Sequence, residues 1–322
     1  MKNEKFDVSV VVATYHPSLE KLFVTLNSIL IQKDVSVQIV ITDDGSGDVD
    51  WDRVKGYFDE KGFKDYVISA LEENGGTVKN LINGVKHSEG RYVKPTSPGD
   101  YLYGERVLRK WMTGMMRSEA AVGFADCICY QYEKDMTYVS REAHPQKTHD
   151  FYRNSWAYNY LVFDDIAVGA ATLVKREILE KYLGFLEGRV IYAEDHSYRL
   201  MAAAGERAYF LGKPAILYEA GTGISTGKND VWTKRLEADW QAANDIILSG
   251  EVPEVTPDEK RKKAFQKAVK YRQTSGLSGM LKAARIPGKL RSVIAHRRGL
   301  RMTGTDVDEG YVERIHGGLI CR

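Results

Sequence analysis

The sequence predicts an α/β fold built on a mostly parallel, Rossmann-like sheet with flanking helices, and three observations lead to it. Segments typical of strands and of helices alternate through residues 6–117, which is the pattern of βαβ units with right-handed crossovers. The strand segments are apolar and β-branched without polar alternation, as in strands covered on both faces. The chain has 322 residues, 43% of them hydrophobic, which is enough for one large domain with an appendage or for two domains.

Four strands and four helices are expected in the first half of the chain. The strands are predicted at 6–13, 35–44, 66–73 and 91–97. The first helix is predicted between Leu19 and Leu30, where apolar residues recur at helical spacing. The other helices are expected near 51–60, 75–90 and 104–117.

The second half reads as a mixture of elements. A strand is predicted at 120–132, a long loop over the edge of the sheet at 133–165, and an apolar stretch followed by a short helix from 169. A helix is expected at 192–205, beginning near Glu194–Asp195 and stopping at Gly205. A strand or hairpin at 207–226 then leads into the loop "GTGIST", interpreted either as a flexible lid or as a plain connector, and a helix follows at 230–248.

Composition excludes several classes of protein. No window has the 18 or so uninterrupted apolar residues that a spanning helix needs, and the N-terminus lacks the apolar core of a secretory signal. Cys127, Cys129 and Cys321 form neither a disulfide framework nor a zinc motif, and the first two are expected to share one strand face as small apolar fillers. The sequence therefore predicts a cytoplasmic protein.

Polar clusters follow each of the first four predicted strands. They are Thr14-Tyr15-His16, Asp43-Asp44, Glu73-Asn74 and Ser97-Pro98-Gly99-Asp100. Because ligands of open α/β sheets bind beyond the carboxyl ends of the strands, four such clusters on one edge predict a binding site. Taken singly, each cluster also has a structural interpretation: "DDGSGD" as an Asx-turn, "SPGD" as a turn, and "ED" (194–195) as favourable charges at a helix N-terminus.

The usual phosphate-binding loops are missing. The chain has no G-x-x-x-x-G-K-[ST] string, and residues 13–18 contain no glycine where a dinucleotide fingerprint would follow the first strand. A nucleotide would therefore have to be recognised by side chains or through a metal ion.

Taken together, these motifs resemble those of inverting family 2 glycosyltransferases with the GT-A, or nucleotide-diphospho-sugar transferase, fold. The resemblance covers roughly residues 6–226 and rests on "SVVVATYHP", "IVITDDGSGD", "ENGGTVKNLINGVKHSEGRYVKPTSPGD" and "YAEDHSYRLMAAAG". It is specific for the family but does not identify the sugar.

The resemblance implies a role for each motif residue. Tyr15 would stack on the nucleotide base, and Asp44, with Asp43 beside it, would accept the N3–H of uracil. Asp100 would bind a divalent cation, Mn²⁺ or Mg²⁺, that bridges the two phosphates. Asp195 would be the catalytic base, with Glu194 as its neighbour or as an acceptor ligand. The remaining residues of the predicted nucleotide-sugar site are Thr14, Asn74, Lys79 and Gly99.

The implied reaction is transfer from a UDP-sugar to a glycan acceptor, lipid-linked in many bacterial members, by direct displacement with an aspartate base. The chain departs from the family in its metal motif, where Ser97 and Gly99 stand at positions often occupied by acids, so metal dependence is open. A catalytically silent nucleotide- or glycan-binding scaffold is the alternative. A phosphotransferase is disfavoured because Thr14-Tyr15, rather than an acid nucleophile, follows the first strand.

A basic segment lies near the end of the chain and is expected to form a helical extension, residues 251–322, after a catalytic domain of residues 1–250. Residues 260–301 contain 14 Lys and Arg and no Asp or Glu, whereas residues 1–259 carry a net charge of −10. The segment has helical apolar spacing, so it could either lie on an anionic membrane surface or pack on the catalytic domain. We favour the membrane, which places the protein at the inner face of the cell membrane, and expect no nucleic acid partner because no recognition module accompanies the charge.

Overall fold

A nine-stranded sheet organises the protein, whose computed structural model describes residues 4–132, 136–143, 156–163, 167–220, 230–272 and 307–317. The strands are β1 (Phe6–Thr14), β2 (Val37–Asp43), β3 (Tyr66–Ala70), β4 (Gly90–Thr96), β5 (Tyr101–Leu102), β6 (Val122–Tyr132), β7 (Met136–Ala143), β8 (Thr172–Lys175) and β9 (Ala208–Glu219). The helices are α1 (Leu19–Leu30), α2 (Trp51–Glu60), α3 (Thr77–Lys86), α4 (Val107–Ser118), α5 (Arg176–Leu186), α6 (His196–Ala204), α7 (Asp230–Ser249), α8 (Glu259–Arg272) and α9 (Glu309–His316).

The first half of the sheet is parallel, as predicted. β1 lies between β2 and β4 and pairs with both in parallel, and β2 pairs in parallel with β3. Ser18 and Asp50 begin α1 and α2 by accepting backbone N–H groups of the first helical turn, which is how helix N-termini are commonly stabilised. The carboxyl ends of β1, β2 and β4 therefore meet at one edge of the sheet, called the rim below.

The second half of the sheet is mixed. β8 pairs antiparallel with both β4 and β6, which makes β6 parallel to β4, and β9 pairs in parallel with β6. The carboxyl end of β9 therefore also reaches the rim. The short strand β5, which was not predicted, pairs antiparallel with β9. The 207–226 stretch contains one strand ending at Glu219 rather than a hairpin, and the "GTGIST" loop lies outside the described residues.

The prediction of a long rim loop over 133–165 is wrong for the part of that stretch that the structure describes. Strand β7 pairs with the second half of β6, and a π-helical turn covers Asn159–Phe163. The aromatic residues here are buried: the Trp156 ring lies 5.7 Å from that of Phe124, and Tyr160 is 1% exposed. Burial of this apolar surface places the turn in the core instead of over the rim.

The sheet is covered on both faces, which explains the continuous apolar strands. Alternate residues of β1 point to opposite faces, so Val11 joins the cluster formed with α3, α5 and α6 while Val10 and Val12 join the cluster formed with α1, α2 and α4. Cys127 and Cys129 are buried free thiols in the second cluster, as predicted.

Two described helices that follow α7 in the chain, α8 and α9, pack on the body. Phe265 of α8 is 1% exposed and belongs to the core cluster, which Ala264, Ala268 and Val269 also contact. The first part of the basic segment thus uses its apolar side for packing. Helix α9 contacts α1, where the Asn27 side-chain amide donates to the Ile315 carbonyl at 2.9 Å. Residues 273–306 lie outside the described residues.

None of the described helices combines the length and the apolar character needed to cross a bilayer.

Candidate active site

The turn after β1 presents an aromatic ring to solvent at the rim. Tyr15 is 54% exposed, although most large apolar side chains of the chain are buried. His16 follows with a φ of 44°, a left-handed conformation that is uncommon outside glycine. Its N–H donates to Ser46 Oγ at 2.7 Å, and its Nδ1 lies 2.9 Å from Asp48 Oδ1. His16 therefore fixes the turn against the loop after β2, and its ring meets the Tyr15 ring edge to face with centroids 4.4 Å apart, while the Tyr15 ring stays exposed to a planar ligand.

Asp43 is an anchor of the loop after β2. Its carboxylate accepts the Thr14 hydroxyl at 2.8 Å and both the N–H and the hydroxyl of Ser46 at 2.8 and 2.7 Å. Asp43 is 1% exposed and Thr14 is 3% exposed. The Asx-turn interpretation of "DDGSGD" is therefore correct for Asp43. Asp43 and Thr14 are buried and support the loop at the rim through their hydrogen bonds.

Asp44 ties the rim to the loop before α3. One of its carboxylate oxygens accepts the N–H of Gly75 at 2.8 Å and the other accepts the N–H of Gly76 at 3.0 Å. Each carboxylate oxygen has a second lone pair, so Asp44 can accept a further donor from a ligand. Asn74 and Lys79, on the same loop and the first turn of α3, are exposed beside it.

Asp100 lies in a buried cluster of charges at the end of β4 and β9. Glu219 is the last residue of β9, and one of its oxygens lies so close to Gly99 that a side chain at Gly99, whose φ is 99°, would overlap it. The other oxygen accepts Lys21 Nζ at 2.6 Å. Lys94, fully buried on β4, donates its ammonium to the carbonyls of Pro95 and Ala170.

Burial controls the protonation of this cluster. It raises the pKa of Asp100 to about 7, against the opposing effect of the positive charge of Lys94. It also lowers the pKa of Lys94 to about 7, with Asp100 acting in the other direction. Burial therefore disfavours the charged form of Asp100 more than the Lys94 charge favours it.

A second pair of carboxyls, Glu194 and Asp195, lies immediately before α6. Burial and the neighbouring charge of Asp195 raise the pKa of Glu194 to about 8, and burial raises the pKa of Asp195 to about 7. Asp195 occupies the N-cap position of α6, yet its side chain caps none of the helix N–H groups. Within the described residues its Oδ1 is buried with no hydrogen-bond partner, and it faces Gly169 so closely that a Cβ there would overlap it.

The loop that carries this pair is held by Asp239 of α7. Its carboxylate accepts the N–H groups of Ile191, Tyr192 and Ala193 at 3.0, 2.6 and 3.0 Å, and Asp239 is 4% exposed. The same loop contacts the start of α3 at the rim, because the Val78 N–H donates to the Ile191 carbonyl at 3.0 Å.

The site around Asp100 and the site around Asp195 both lie close to one tyrosine, Tyr218. The negative charges of Asp100 and of Asp195 both raise the pKa of Tyr218 on β9, in addition to its burial. The structure therefore brings the predicted residues of the first four strand ends and the Glu194–Asp195 pair to the same part of the sheet.

The residues around Asp100 fit a divalent cation that also takes phosphate oxygens. Mg²⁺ and similar cations are usually held by one or two carboxylates together with water and phosphate, and Asp100 and Glu219 are two such groups. In the part of the chain that the structure describes, no cluster of three or more His, Cys, Asp or Glu side chains could hold a metal on its own.

Three site residues were missed from the sequence. Glu219 is a polar residue at the carboxyl end of a strand. The same criterion identified the polar clusters after the first four strands, so it could have identified Glu219 as well. Lys94 lies within an apolar strand and could have been noticed as a charge in a buried segment. Asp239 lies in the middle of a helix, and nothing in its local sequence indicates that it binds a distant loop.

Comparison with solved structures shows that the fold is that of GT-A glycosyltransferases. The fold matches S. aureus TarS residues 1–349 in complex with UDP-GlcNAc, with TM-score 0.51, 17% identity, and 97% of this chain and 91% of that chain covered. Another TarS 1–349 structure matches with TM-score 0.50 and 17% identity, covering 97% and 91%.

The sequence shows the family to which the chain belongs. The profile of the family described as glycosyl transferase family 2 matches residues 9–183, more than half of the chain. The chain belongs to this family and is a family 2 glycosyltransferase enzyme with the GT-A fold. No curated protein matches it in sequence.

Proposed function

We propose that the protein is an inverting glycosyltransferase that moves a sugar from a UDP-sugar to a hydroxyl group of a glycan acceptor in bacterial capsule, O-antigen or exopolysaccharide synthesis. The observation that carries the proposal is the unpartnered, buried Oδ1 of Asp195 beside the nucleotide rim. A carboxylate whose pKa is raised to about 7 is well matched to accept a proton near neutral pH.

The donor is held at the rim. The exposed ring of Tyr15 offers a stacking surface for the base, and Asp44 has lone pairs left for an N–H donor such as N3–H of uracil. The exposed Lys79 and Asn74 lie on the same side and can contact the diphosphate or the sugar. TarS, which shares the fold, has been crystallised with UDP-GlcNAc, which is consistent with a UDP-sugar donor.

The reaction is a single displacement. The acceptor oxygen attacks the anomeric carbon opposite the UDP group, and the new C–O bond forms as the bond from the anomeric carbon to the phosphate oxygen breaks. Asp195 takes the proton of the acceptor hydroxyl, and UDP leaves with the bonding electron pair. Attack from the opposite face inverts the anomeric centre, and Glu194 is placed to orient the acceptor hydroxyl.

A divalent cation, Mn²⁺ or Mg²⁺, would be held by Asp100 with Glu219. When bound, it would neutralise the charge that develops on the diphosphate. Lys21, which pairs with Glu219 at 2.6 Å, and the buried Lys94 add positive charge beside the same carboxylates. Their positive charge opposes a cation at the same carboxylates, and the Lys21 ammonium could itself neutralise part of the diphosphate charge.

A UDP-release assay tests the proposal and separates it from the silent-scaffold alternative. Wild-type protein is incubated with a panel of UDP-sugars and GDP-sugars, with and without Mn²⁺, and released nucleotide is measured. The proposal predicts release from at least one UDP-sugar and loss of that release in Asp195→Asn. A protein that binds UDP-sugars but releases no UDP from any of them would support the scaffold instead.

The basic segment supports a proposal about where the acceptor is met. We propose that residues 273–301, which contain seven Lys and Arg and no acid, hold the enzyme at the anionic inner face of the cell membrane, where lipid-linked glycans are available. The apolar side of α8 packs on the body, so residues 260–272 do not offer that side to a membrane.

Vesicle sedimentation tests the membrane proposal. The test variant replaces the seven basic residues with Gln and keeps the chain length, and the vesicles contain anionic phosphatidylglycerol. Wild type is expected to sediment and the variant to remain in solution, whereas equal sedimentation would contradict the proposal. The substituted residues are Lys282, Arg285, Lys289, Arg291, Arg297, Arg298 and Arg301.

A further inference from the structure

An aromatic cluster lies two residues before the catalytic pair. The Tyr192 and Trp232 rings meet edge to face with their centroids 4.9 Å apart. The Arg235 guanidinium lies over both rings, 5.5 Å from the centroid of Tyr192 and 5.1 Å from that of Trp232. Two large apolar side chains beside it, Ile191 and Val231, are 49% and 56% exposed. Within the cluster itself, Arg235 is exposed and both rings are partly exposed, so solvent reaches it close to Glu194 and Asp195 in the sequence.

One face of α7 builds both the cluster and the support of the catalytic loop. Trp232, Arg235 and Asp239 are spaced three and four residues apart, which places them on the same side of the helix. Asp239 fixes the N–H groups of residues 191–193, and Trp232 and Arg235 contact Tyr192 in the same loop. The position of the aromatic rings is thus tied to the position of Glu194 and Asp195.

The chemistry of the cluster fits a sugar ring. One face of a pyranose presents C–H groups that pack on an aromatic ring, and its hydroxyl groups accept hydrogen bonds from a guanidinium. Binding sites for polar ligands commonly combine such an aromatic surface with a few directed polar groups. Arg235 supplies several donors in a fixed plane, and its contact with the two rings restrains it before a ligand arrives.

We propose that Tyr192, Trp232 and Arg235 form the subsite that binds the terminal sugar of the acceptor glycan and presents its hydroxyl to Asp195. The inference rests on the proposed function, since it gives the Glu194–Asp195 site its acceptor. The donor is assigned to different residues, Tyr15 and Asp44, and the loop that carries Tyr192 reaches that donor site through the contact of Ile191 with Val78.

Glycoside binding tests the subsite directly. Saturation-transfer NMR with UDP present measures the affinity for a panel of methyl hexosides and methyl N-acetylhexosaminides, and UDP release into water is measured in parallel. Wild type is expected to bind at least one glycoside. Trp232→Ala should weaken that binding about tenfold or more, as truncation of a central aromatic contact does, and Trp232→Phe should restore most of it.

A control variant on the same helix shows whether a loss of glycoside binding is specific to the cluster. Lys234 is exposed on the same helix but belongs to no part of the cluster, so Lys234→Ala should bind glycosides and release UDP as wild type does, whereas Arg235→Ala should lose glycoside affinity. The inference is overturned if wild type binds no glycoside or if Trp232→Ala binds glycosides as well as wild type does. It is also overturned if Trp232→Ala reduces the rate of UDP release by as large a factor as it reduces glycoside affinity. Failure of wild type to release UDP from any donor would instead refute the proposed function.

Discussion

Asp195 stands at the start of α6 without capping the helix. Most aspartates at this position accept a helix N–H, but the side chain of Asp195 caps none, and its Oδ1 faces Gly169 instead. A hydrogen is the only substituent at Gly169 that leaves room for this oxygen. The absence of a side chain at one residue therefore decides where the proposed base lies.

Gly169→Ala should lower the rate of UDP release about 100-fold, because a small displacement of a reacting group can cost that much. The protein should remain folded, since the φ of Gly169 is one that alanine adopts. Gly184→Ala is the matched control: the same change on α5, where a Cβ meets nothing within 4 Å, should leave the rate unchanged and stabilise the helix slightly. Equal rates for both variants would contradict the assigned position of Asp195.

The pH dependence of the reaction should report the raised pKa values. Burial raises the pKa of Glu194 to about 8 and of Asp195 to about 7, so the base is mostly protonated at pH 6. UDP release is expected to rise with pH between 6 and 8, with apparent pKa values that belong to the pair. The groups that face the pair are Tyr198, Tyr218 and Asp239.

The raised pKa values also make the stability of the fold depend on pH. Stability is expected to fall over the pH range in which the rate of UDP release rises. Carboxyls whose pKa is raised by folding stabilise the folded state most when they are protonated, and this contribution is lost as the pH rises through about 7 and 8. Asp195→Asn should therefore raise Tm at pH 8 and change it little at pH 4. A higher Tm at pH 4 alone would contradict the assignment.

At the scale of elements, α7 joins the parts of the site. Its Asp239 holds the loop of residues 191–193, and this loop contacts α3 next to the glycines bound by Asp44. Nothing in the sequence of α7 predicts this, because the contact joins residues 46 to 48 positions apart. The helix itself was predicted correctly at 230–248.

Asp239→Ala should destabilise the fold by roughly 2–4 kcal/mol, because it leaves three N–H groups without their charged acceptor. UDP release should also fall, since the loop carrying Glu194 and Asp195 loses its support. Urea unfolding and the release assay measure the two effects. Asp245→Ala on the exposed side of α7 should change neither, and an Asp239→Ala enzyme with the rate of wild type would contradict the supporting role.

At the scale of the whole molecule, the chain after residue 250 belongs partly to the body. Phe265 of α8 is buried in the same core cluster as α5 and α6, and Tyr311 of α9 donates its hydroxyl to the Leu102 carbonyl at 2.5 Å. The basic charge of α8 therefore lies on the outside of a packed helix. Only the segment between α8 and α9 is proposed to bind membranes.

Phe265→Ala should lower the free energy of unfolding by about 3–5 kcal/mol, the usual cost of removing a buried phenylalanine side chain. Lys267→Ala, two residues away and exposed, should change it by less than about 0.5 kcal/mol. Urea denaturation of the two variants measures the difference. Equal midpoints would mean that α8 does not pack on the body.

Sequence patterns predicted the parallel half of the sheet because βαβ units leave strong local signals: apolar strands, amphipathic helices and polar turns. The polar residues at the strand ends made Tyr15, Asp44 and Asp100 candidates, whereas Asp195 was predicted from the resemblance to family 2 glycosyltransferases. The antiparallel strands β5, β7 and β8 were not predicted, since they depend on pairing with distant strands rather than on local periodicity. The buried aromatic turn near Tyr160 was taken for a rim loop for the same reason.

In the proposed reaction Asp195 removes the acceptor proton while Tyr15 and Asp44 hold the nucleotide. UDP affinity, measured by calorimetry, and UDP release in Asp195→Asn and Tyr15→Ala separate these two roles. Asp195→Asn should lose at least about 100-fold in release rate while retaining UDP affinity, and Tyr15→Ala should weaken UDP binding. An Asp195→Asn protein that releases UDP at the rate of wild type would contradict the proposed reaction.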